Sequence, residues 1–132
     1  MTQQNTSTVY VINQPLAPRR PVPGQRAFVY DVSPAQQYGA IKFVFTEEDP
    51  RPTDNPDAAI EHAHKVLSAI TEDDYIVWAG GDPLSMVIVS SIVADLLGGR
   101  IKYLAFEKNR QNPGQGYYVP KKLSIFDEEE DD

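Results

Sequence analysis

The chain has 132 residues, a hydrophobic fraction of 41%, a formal net charge of −7 and no cysteine. This length predicts a single domain with its own core, and the lack of cysteine excludes disulfides, thiolate metal sites and thiol nucleophiles. The acidity is local, because residues 127–132 are six consecutive acids and residues 1–126 carry only −1 once these charges are subtracted. We expect this acidic tail to be disordered, since it has no apolar surface to bury.

The first third of the chain alternates between strand signals and proline. Residues 1–8 are polar and uncharged, unlike a signal peptide, and are predicted to be a disordered N-terminus. Residues 9–13 predict a first strand, and the four prolines of residues 14–24 favour an extended arm. Residues 27–32 are either a short strand or irregular. A turn is expected at Ser33 and Pro34.

The middle of the chain predicts a strand, a polar loop and an amphipathic helix. The strand is residues 40–45 and the helix is residues 56–70, whose apolar residues recur at helical spacing. His62 and His64 are two positions apart on this helix and should point to nearly opposite sides, so no metal site is predicted there. The acid runs at residues 47–49 and 73–74 are interpreted as solvated loop charge.

Residues 74–106 predict a complete strand, glycine loop, helix, glycine stop and strand. The strand is residues 75–79, and Asp82 and Pro83 form a typical helix start. The helix, residues 83–97, is apolar on almost every side, yet it is shorter than the roughly 20 residues that span a bilayer. We therefore expect no membrane insertion and coverage on most faces by the core or a partner, which permits a homo-oligomer.

The order of elements predicts the fold class. Residues 101–106 and 117–123 predict two strands that pair as an antiparallel hairpin. Together the elements predict a small two- or three-layer α/β domain over residues 9–126, with a mixed, largely parallel sheet and two helices. It is Rossmann-like only in the loose sense of strands joined by helical crossovers.

Several segments also carry a family resemblance, namely VYVINQPL, YGAIKFVF, DDYIVWAGGDP, GGRIKYLAFEKNR and YYVPKKL. In this succession the chain resembles, over residues 9–123, a family of small uncharacterised proteins encoded by tailed bacteriophages. The resemblance implies a viral origin and a place in the host bacterial cytoplasm. It supplies no activity, cofactor or catalytic residue, and the acidic tail is not part of the family pattern.

The first candidate site is the loop formed by Gly80, Gly81 and Asp82. Ligands of open α/β sheets bind beyond the carboxyl ends of strands, where a helix start offers free N–H groups. This loop would serve a nucleotide or phosphate, although it lacks both G-x-G-x-x-G and the lysine of a P-loop. The alternative interpretation, a turn followed by a helix cap, explains the same residues and is preferred.

The second candidate site combines basic and aromatic residues of the predicted hairpin, suited to contacts with phosphates and stacking of bases. Its members are Lys102, Tyr103, Lys108, Arg110, Tyr117, Tyr118, Lys121 and Lys122. The alternative is a sheet edge on which lysines prevent aggregation. If single-stranded nucleic acid is the partner, the acidic tail would compete for this patch and inhibit binding.

The sequence thus predicts a small phage accessory protein that acts by binding a phage or host protein, without catalysis, metal or cofactor. The proline-rich arm, the hairpin edge and the tail are the candidate contact regions. Single-stranded nucleic-acid binding through the hairpin is the first alternative. Nucleotide or phosphate binding at loop 80–83 is the second.

Overall fold

A computed structural model of the chain describes residues 7–14, 32–78, 83–108 and 116–126. Within these ranges the predicted α/β fold is confirmed: a five-stranded mixed sheet, mostly parallel, carries two α-helices and ends in an antiparallel hairpin. The elements are β1 (Thr8–Asn13), a 3₁₀ helix (Ser33–Tyr38), β2 (Ala40–Phe45), α1 (Pro56–Leu67), β3 (Tyr75–Val77), α2 (Pro83–Leu96), β4 (Arg100–Lys108) and β5 (Gly116–Ser124).

The sheet has the strand order β2-β1-β3-β4-β5. β1 is parallel to both of its neighbours, and β3 is parallel to β4. β5 runs antiparallel to β4 along their whole length, from Arg100 opposite Ser124 to Lys108 opposite Gly116. β1 therefore lies between β2 and β3, which are consecutive strands in the chain joined through α1.

The two faces of the sheet are covered differently. α1 and α2 pack against each other on one face, the helix face, where Tyr10 and Ile12 of β1 enter the main core. The alternate residues Val9 and Val11 face the other side, where a smaller core includes the 3₁₀ helix through Ala35. The described residues thus form two main layers, with one short helical element on the second face.

Element boundaries depart from prediction in modest ways. α1 ends at Leu67, where the Ser68 hydroxyl donates to the Lys65 carbonyl and the Ile70 N–H donates to the Leu67 carbonyl. The predicted turn at Ser33 is the start of the 3₁₀ helix. The proline-rich arm up to residue 24, residues 27–31, the loop 79–82 and the acidic tail lie outside the described residues.

α2 is less completely covered than expected. Six of its residues are buried, but Leu84, Val87 and Leu96 are exposed, Val87 by 60%. Trp78, directly after the central strand β3, fixes the helix to the sheet, because its indole N–H donates to the Ser90 hydroxyl at 2.9 Å. No helix in the described part of the chain combines the length and apolar character needed to cross a membrane.

The outer edge of β5 is partly closed. The Ile125 N–H donates to the Gly99 carbonyl, so the odd-numbered residues of β5 face β4 and the even-numbered ones direct their backbone groups outward. Of these, Pro120 has no N–H, and the Tyr118 carbonyl accepts a hydrogen bond from the Tyr38 hydroxyl at 3.0 Å. Two of the outward positions are therefore unable to pair with another strand in the usual way.

Candidate functional site

A cavity of about 360 Å³ lies at the carboxyl ends of β1 and β2, beside the first turn of α2. We call it the edge cavity. Its lining residues are Asn13, Gln14, Phe45, Thr46, Glu47, Asp49, Pro50, Arg51, Pro52, Thr53, Pro83 and Ser85. The next described element after β1 is the 3₁₀ helix, on one face of the sheet. The next element after β3 is α2, on the opposite face. The cavity therefore lies where ligands of open α/β sheets usually bind.

The wall of the edge cavity is a loop that is fixed at both ends. At its start, the N–H and hydroxyl of Thr46 both donate to the Asp49 carboxylate, at 2.7 and 2.9 Å. At its end, the Asn55 side chain accepts from the Ala58 N–H and caps α1. Because the start of the loop is closed by this turn directly after β2 and its end is hydrogen-bonded to α1, both ends are held in place beside the sheet.

His62 joins this loop to the strand behind it. Its Nε2 atom lies 2.7 Å from the Val44 carbonyl oxygen and 3.3 Å from Asp49 Oδ2. The ring also packs against Phe45, with centroids 5.6 Å apart. His64 is exposed, so the two histidines occupy different environments. His62 thus positions Asp49 and the start of the wall.

Asn13 supplies the unusual polar group of the edge cavity. It is the last residue of β1 and pairs with Phe45 of β2, so its backbone position is set by the sheet. Its side-chain nitrogen Nδ2 is buried and has no hydrogen-bond partner in the described part of the chain. A buried amide without an acceptor is costly, and such groups in folded proteins ordinarily have a partner.

The predicted ligand loop, Gly80, Gly81 and Asp82, lies outside the described residues. The residues that follow it, Pro83 and Ser85, line the edge cavity. The loop is therefore next to the cavity along the chain.

The predicted basic patch is divided between the two faces of the sheet. Lys102 and Lys122 are opposite each other on the face of the 3₁₀ helix, together with Tyr118. Tyr103 and Lys121 form the neighbouring pair and lie on the helix face, as Tyr117 does. Lys108 pairs with Gly116 at the loop end of the hairpin, and Arg110 lies outside the described residues.

Several patch residues are engaged within the domain. Tyr118 is buried, and the Tyr103 ring packs on Trp78 with centroids 4.6 Å apart. The Lys102 amine lies 4.0 Å from the Asp73 carboxylate and 5.5 Å from the centre of the Tyr75 ring, and Lys121 pairs with Glu107 at 3.9 Å. Tyr117 is the tyrosine of this set with a largely exposed ring.

Exposed apolar side chains gather at the other end of the hairpin. Leu123, Ile125 and Phe126 are 40%, 49% and 51% exposed. We call them the C-terminal apolar cluster. Their backbone is anchored, since the Ile125 N–H bonds the Gly99 carbonyl and the Phe126 ring covers Gly99, where a Cβ would collide with it. The cluster is thus held at the amino-terminal end of β4, on the sheet edge opposite the edge cavity.

Sequence reasoning missed the residues that build the edge cavity, above all Asn13, Thr46 and Arg51. One signal was present in the sequence: threonine followed by an acid three residues later, at the end of a predicted strand, is a spacing that closes a turn. The unpartnered amide of Asn13 had no such signal, because it depends on three segments of the chain meeting in space.

A search among curated proteins and a search among solved structures each found no match to the chain. A family model for the Phage Pam3 gp32-like protein does match, over residues 7–125 of the 132. This range includes every strand and helix described above. The predicted kinship with small phage-encoded proteins is thereby confirmed, and the chain belongs to the Phage Pam3 gp32-like protein family.

Proposed function

We propose that the protein acts in the infected host by binding a protein partner, of phage or host origin, through the C-terminal apolar cluster, without catalysis. The observation that carries the proposal is the exposure of three large apolar side chains within four consecutive residues. Single exposed apolar residues are common on soluble domains, but neighbouring ones indicate a contact surface.

The surroundings of the cluster support contact through side chains. Leu96, 48% exposed, ends α2 only three residues before Gly99, against which Phe126 packs. The nearby Arg100 pairs with Glu72 at 3.5 Å, and both side chains are well exposed. An apolar centre with charged residues close by is the usual composition of a protein interface. The partly closed edge of β5 disfavours the alternative, addition of a partner strand to the sheet.

The test is purification of the tagged protein from phage-infected cells, with Ile125→Asp/Phe126→Asp compared against Val87→Asp. Val87 is the matched control, because it is equally apolar and 60% exposed but lies on α2. We expect one stoichiometric protein to accompany the wild type and the control, and to be lost with the double variant. Size-exclusion chromatography with light scattering separates a foreign partner from a second copy of the chain.

A partner that the double variant retains would contradict the proposal. So would the absence of any stoichiometric partner from infected cells. Circular dichroism and thermal melting of both variants confirm that the comparison is between folded proteins.

A second candidate function, binding of single-stranded nucleic acid, is favoured by the pair Lys102 and Lys122. These like charges sit directly opposite each other, and the Asp73 carboxylate, 4.0 Å from the Lys102 amine, offsets part of a repulsion that a bound phosphate would reduce further. We expect Lys102→Glu/Lys122→Glu to weaken oligonucleotide binding at low salt, and Lys42→Glu/Lys65→Glu, with the same change in charge, to have little effect. A chain ending at Phe126 should bind more tightly if the acidic tail competes. Equal, negligible binding by all four proteins would exclude this function.

A further inference from the structure

We propose that the edge cavity is a binding site for a small zwitterion of the α-amino acid type. Its carboxylate would accept from Asn13 and pair with Arg51, while its ammonium group would pair with Glu47. This proposal goes beyond the proposed protein-binding function and does not depend on it, because the cavity and the C-terminal apolar cluster lie at opposite ends of the sheet.

The first argument is the unpartnered donor. Asn13 lines the cavity, and its buried Nδ2 atom has no acceptor among the residues that the structure describes. A rotation of the Asn13 side chain toward the cavity would bring this N–H group to an acceptor oxygen of a bound molecule, which would remove the cost of leaving it unpaired. A carboxylate oxygen is the strongest common acceptor for an amide donor.

The second argument is the charge on the cavity lining. Asp49 already accepts two hydrogen bonds from Thr46 and lies next to His62. Among the described residues, the Arg51 guanidinium and the Glu47 carboxylate form no ion pair. One cation and one anion are therefore available at the cavity, which matches a molecule carrying both charges.

The third argument excludes the neighbouring ligand classes. A phosphate group, with its larger negative charge, would be repelled by Glu47 and Asp49 together. The volume of about 360 Å³ lies near the lower end of the range for ligand pockets and suits a small molecule better than a dinucleotide. Phe45, Pro50, Pro52 and Pro83 supply an apolar wall for the side chain of an amino acid.

The test is a titration of the full-length protein with each standard amino acid at millimolar concentration. Binding is read from the NMR signals of the Asn13 side-chain NH₂ group and from the melting temperature. We expect at least one amino acid to shift the Asn13 signals saturably and to raise the melting temperature. The N-acetyl amide of the same amino acid lacks both charges and should do neither.

Three variants make the test specific. Asn13→Leu should abolish binding while raising the melting temperature of the free protein, because the unpartnered amide is removed. Glu47→Gln should weaken binding by about tenfold, the effect of losing one charged contact. Glu48→Gln is the matched control: Glu48 is the adjacent acid but does not line the cavity, so binding should be unchanged.

Three results would overturn the proposal: no standard amino acid perturbs the Asn13 NH₂ signals, the N-acetyl amide binds as well as the free amino acid, or Glu47→Gln and Glu48→Gln bind alike. The two glutamate variants keep the test decisive even where Asn13→Leu fails to fold, since both substitutions are at exposed positions of one loop.

Discussion

Two turns of this protein, Thr46–Asp49 and Thr71–Asp74, are built from the same residues in the same way. In each, the threonine N–H and hydroxyl donate to the aspartate carboxylate three residues later. In each, the aspartate N–H donates to the threonine carbonyl. The residue directly before the aspartate donates its N–H to the threonine hydroxyl. Their surroundings nevertheless give the two turns different structural roles.

The two aspartates differ in their burial and in the group that each carboxylate contacts in addition to the threonine. Asp74 is buried, only 7% exposed, and also accepts the N–H of Thr8 at 2.8 Å, which ties the start of β1 to the start of β3. The Asp49 side chain is 23% exposed, and its third neighbour is the His62 ring. The Thr71–Asp74 turn joins two central strands, whereas the Thr46–Asp49 turn supports the wall of the edge cavity. The same local hydrogen bonds thus serve the core or a site according to what surrounds them.

The largest effect is expected for Asp74→Ala. The substitution leaves the N–H groups of Thr8 and Thr71 without an acceptor at a buried position, and hydrogen bonds to a charged group contribute about 1.5–3 kcal/mol each. We expect a loss of about 3 kcal/mol in the free energy of unfolding, measured by urea denaturation. Asp73→Ala, at the exposed neighbouring acid, should cost less than about 1 kcal/mol. Equal losses for the two variants would contradict the assigned role.

An intermediate effect is expected for Asp49→Ala. This substitution removes the equivalent hydrogen bonds of the Thr46–Asp49 turn, but solvent can replace the carboxylate at this partly exposed position. We therefore expect a loss of about 1 kcal/mol in the free energy of unfolding. The wall of the edge cavity should loosen at the same time. Hydrogen exchange of the amides of residues 46–53 checks this, with Glu48→Ala as the control. A loss as large as that of Asp74→Ala would show that burial does not separate the two turns.

The smallest effect at neutral pH is expected for Tyr10→Phe, near the buried turn. Burial first, and the charge of Asp74 second, raise the pKa of Tyr10 above its ordinary value of 10.0. Because the folded-state pKa is the higher one, the unfolded state loses its proton first as pH rises. The wild type should therefore lose stability from about pH 10 upward.

Tyr10→Phe should show a shallower decline in stability over the same alkaline range, with little change at pH 7. Urea denaturation at a series of pH values measures both slopes. The exposed Tyr117→Phe is the control and should follow the wild type. Parallel curves for Tyr10→Phe and the wild type would show that Asp74 and its buried surroundings do not act on this hydroxyl.

Much of the fold could be predicted because its signals are local. β2 has the predicted limits, since its apolar residues are bounded by glycine and a polar loop, and α2 begins at Pro83 as its helix start indicated. The strand order could not be predicted, because local patterns do not specify that β1 lies between β2 and β3.

The sites were less accessible to sequence reasoning. Adjacent residues of a strand point to opposite faces, so Lys102 and Tyr103, or Tyr117 and Tyr118, could not share one surface in a regular hairpin. This division was predictable from the pleat alone. Asp49 and Asp74 were interpreted as solvated charge, although the threonine three positions earlier marks both as turn residues. The edge cavity required the positions of Asn13, the 46–53 loop and Ser85 in space.

The contact between the Tyr38 hydroxyl and the Tyr118 carbonyl has a consequence for the protein at high concentration. Free edge strands let copies of a protein join sheet to sheet into insoluble polymers. Tyr38 and Pro120 block two successive outward positions of β5, and Lys122 adds a charge at the next. Copies of the protein would therefore not polymerise through their β5 edges, even at high concentration.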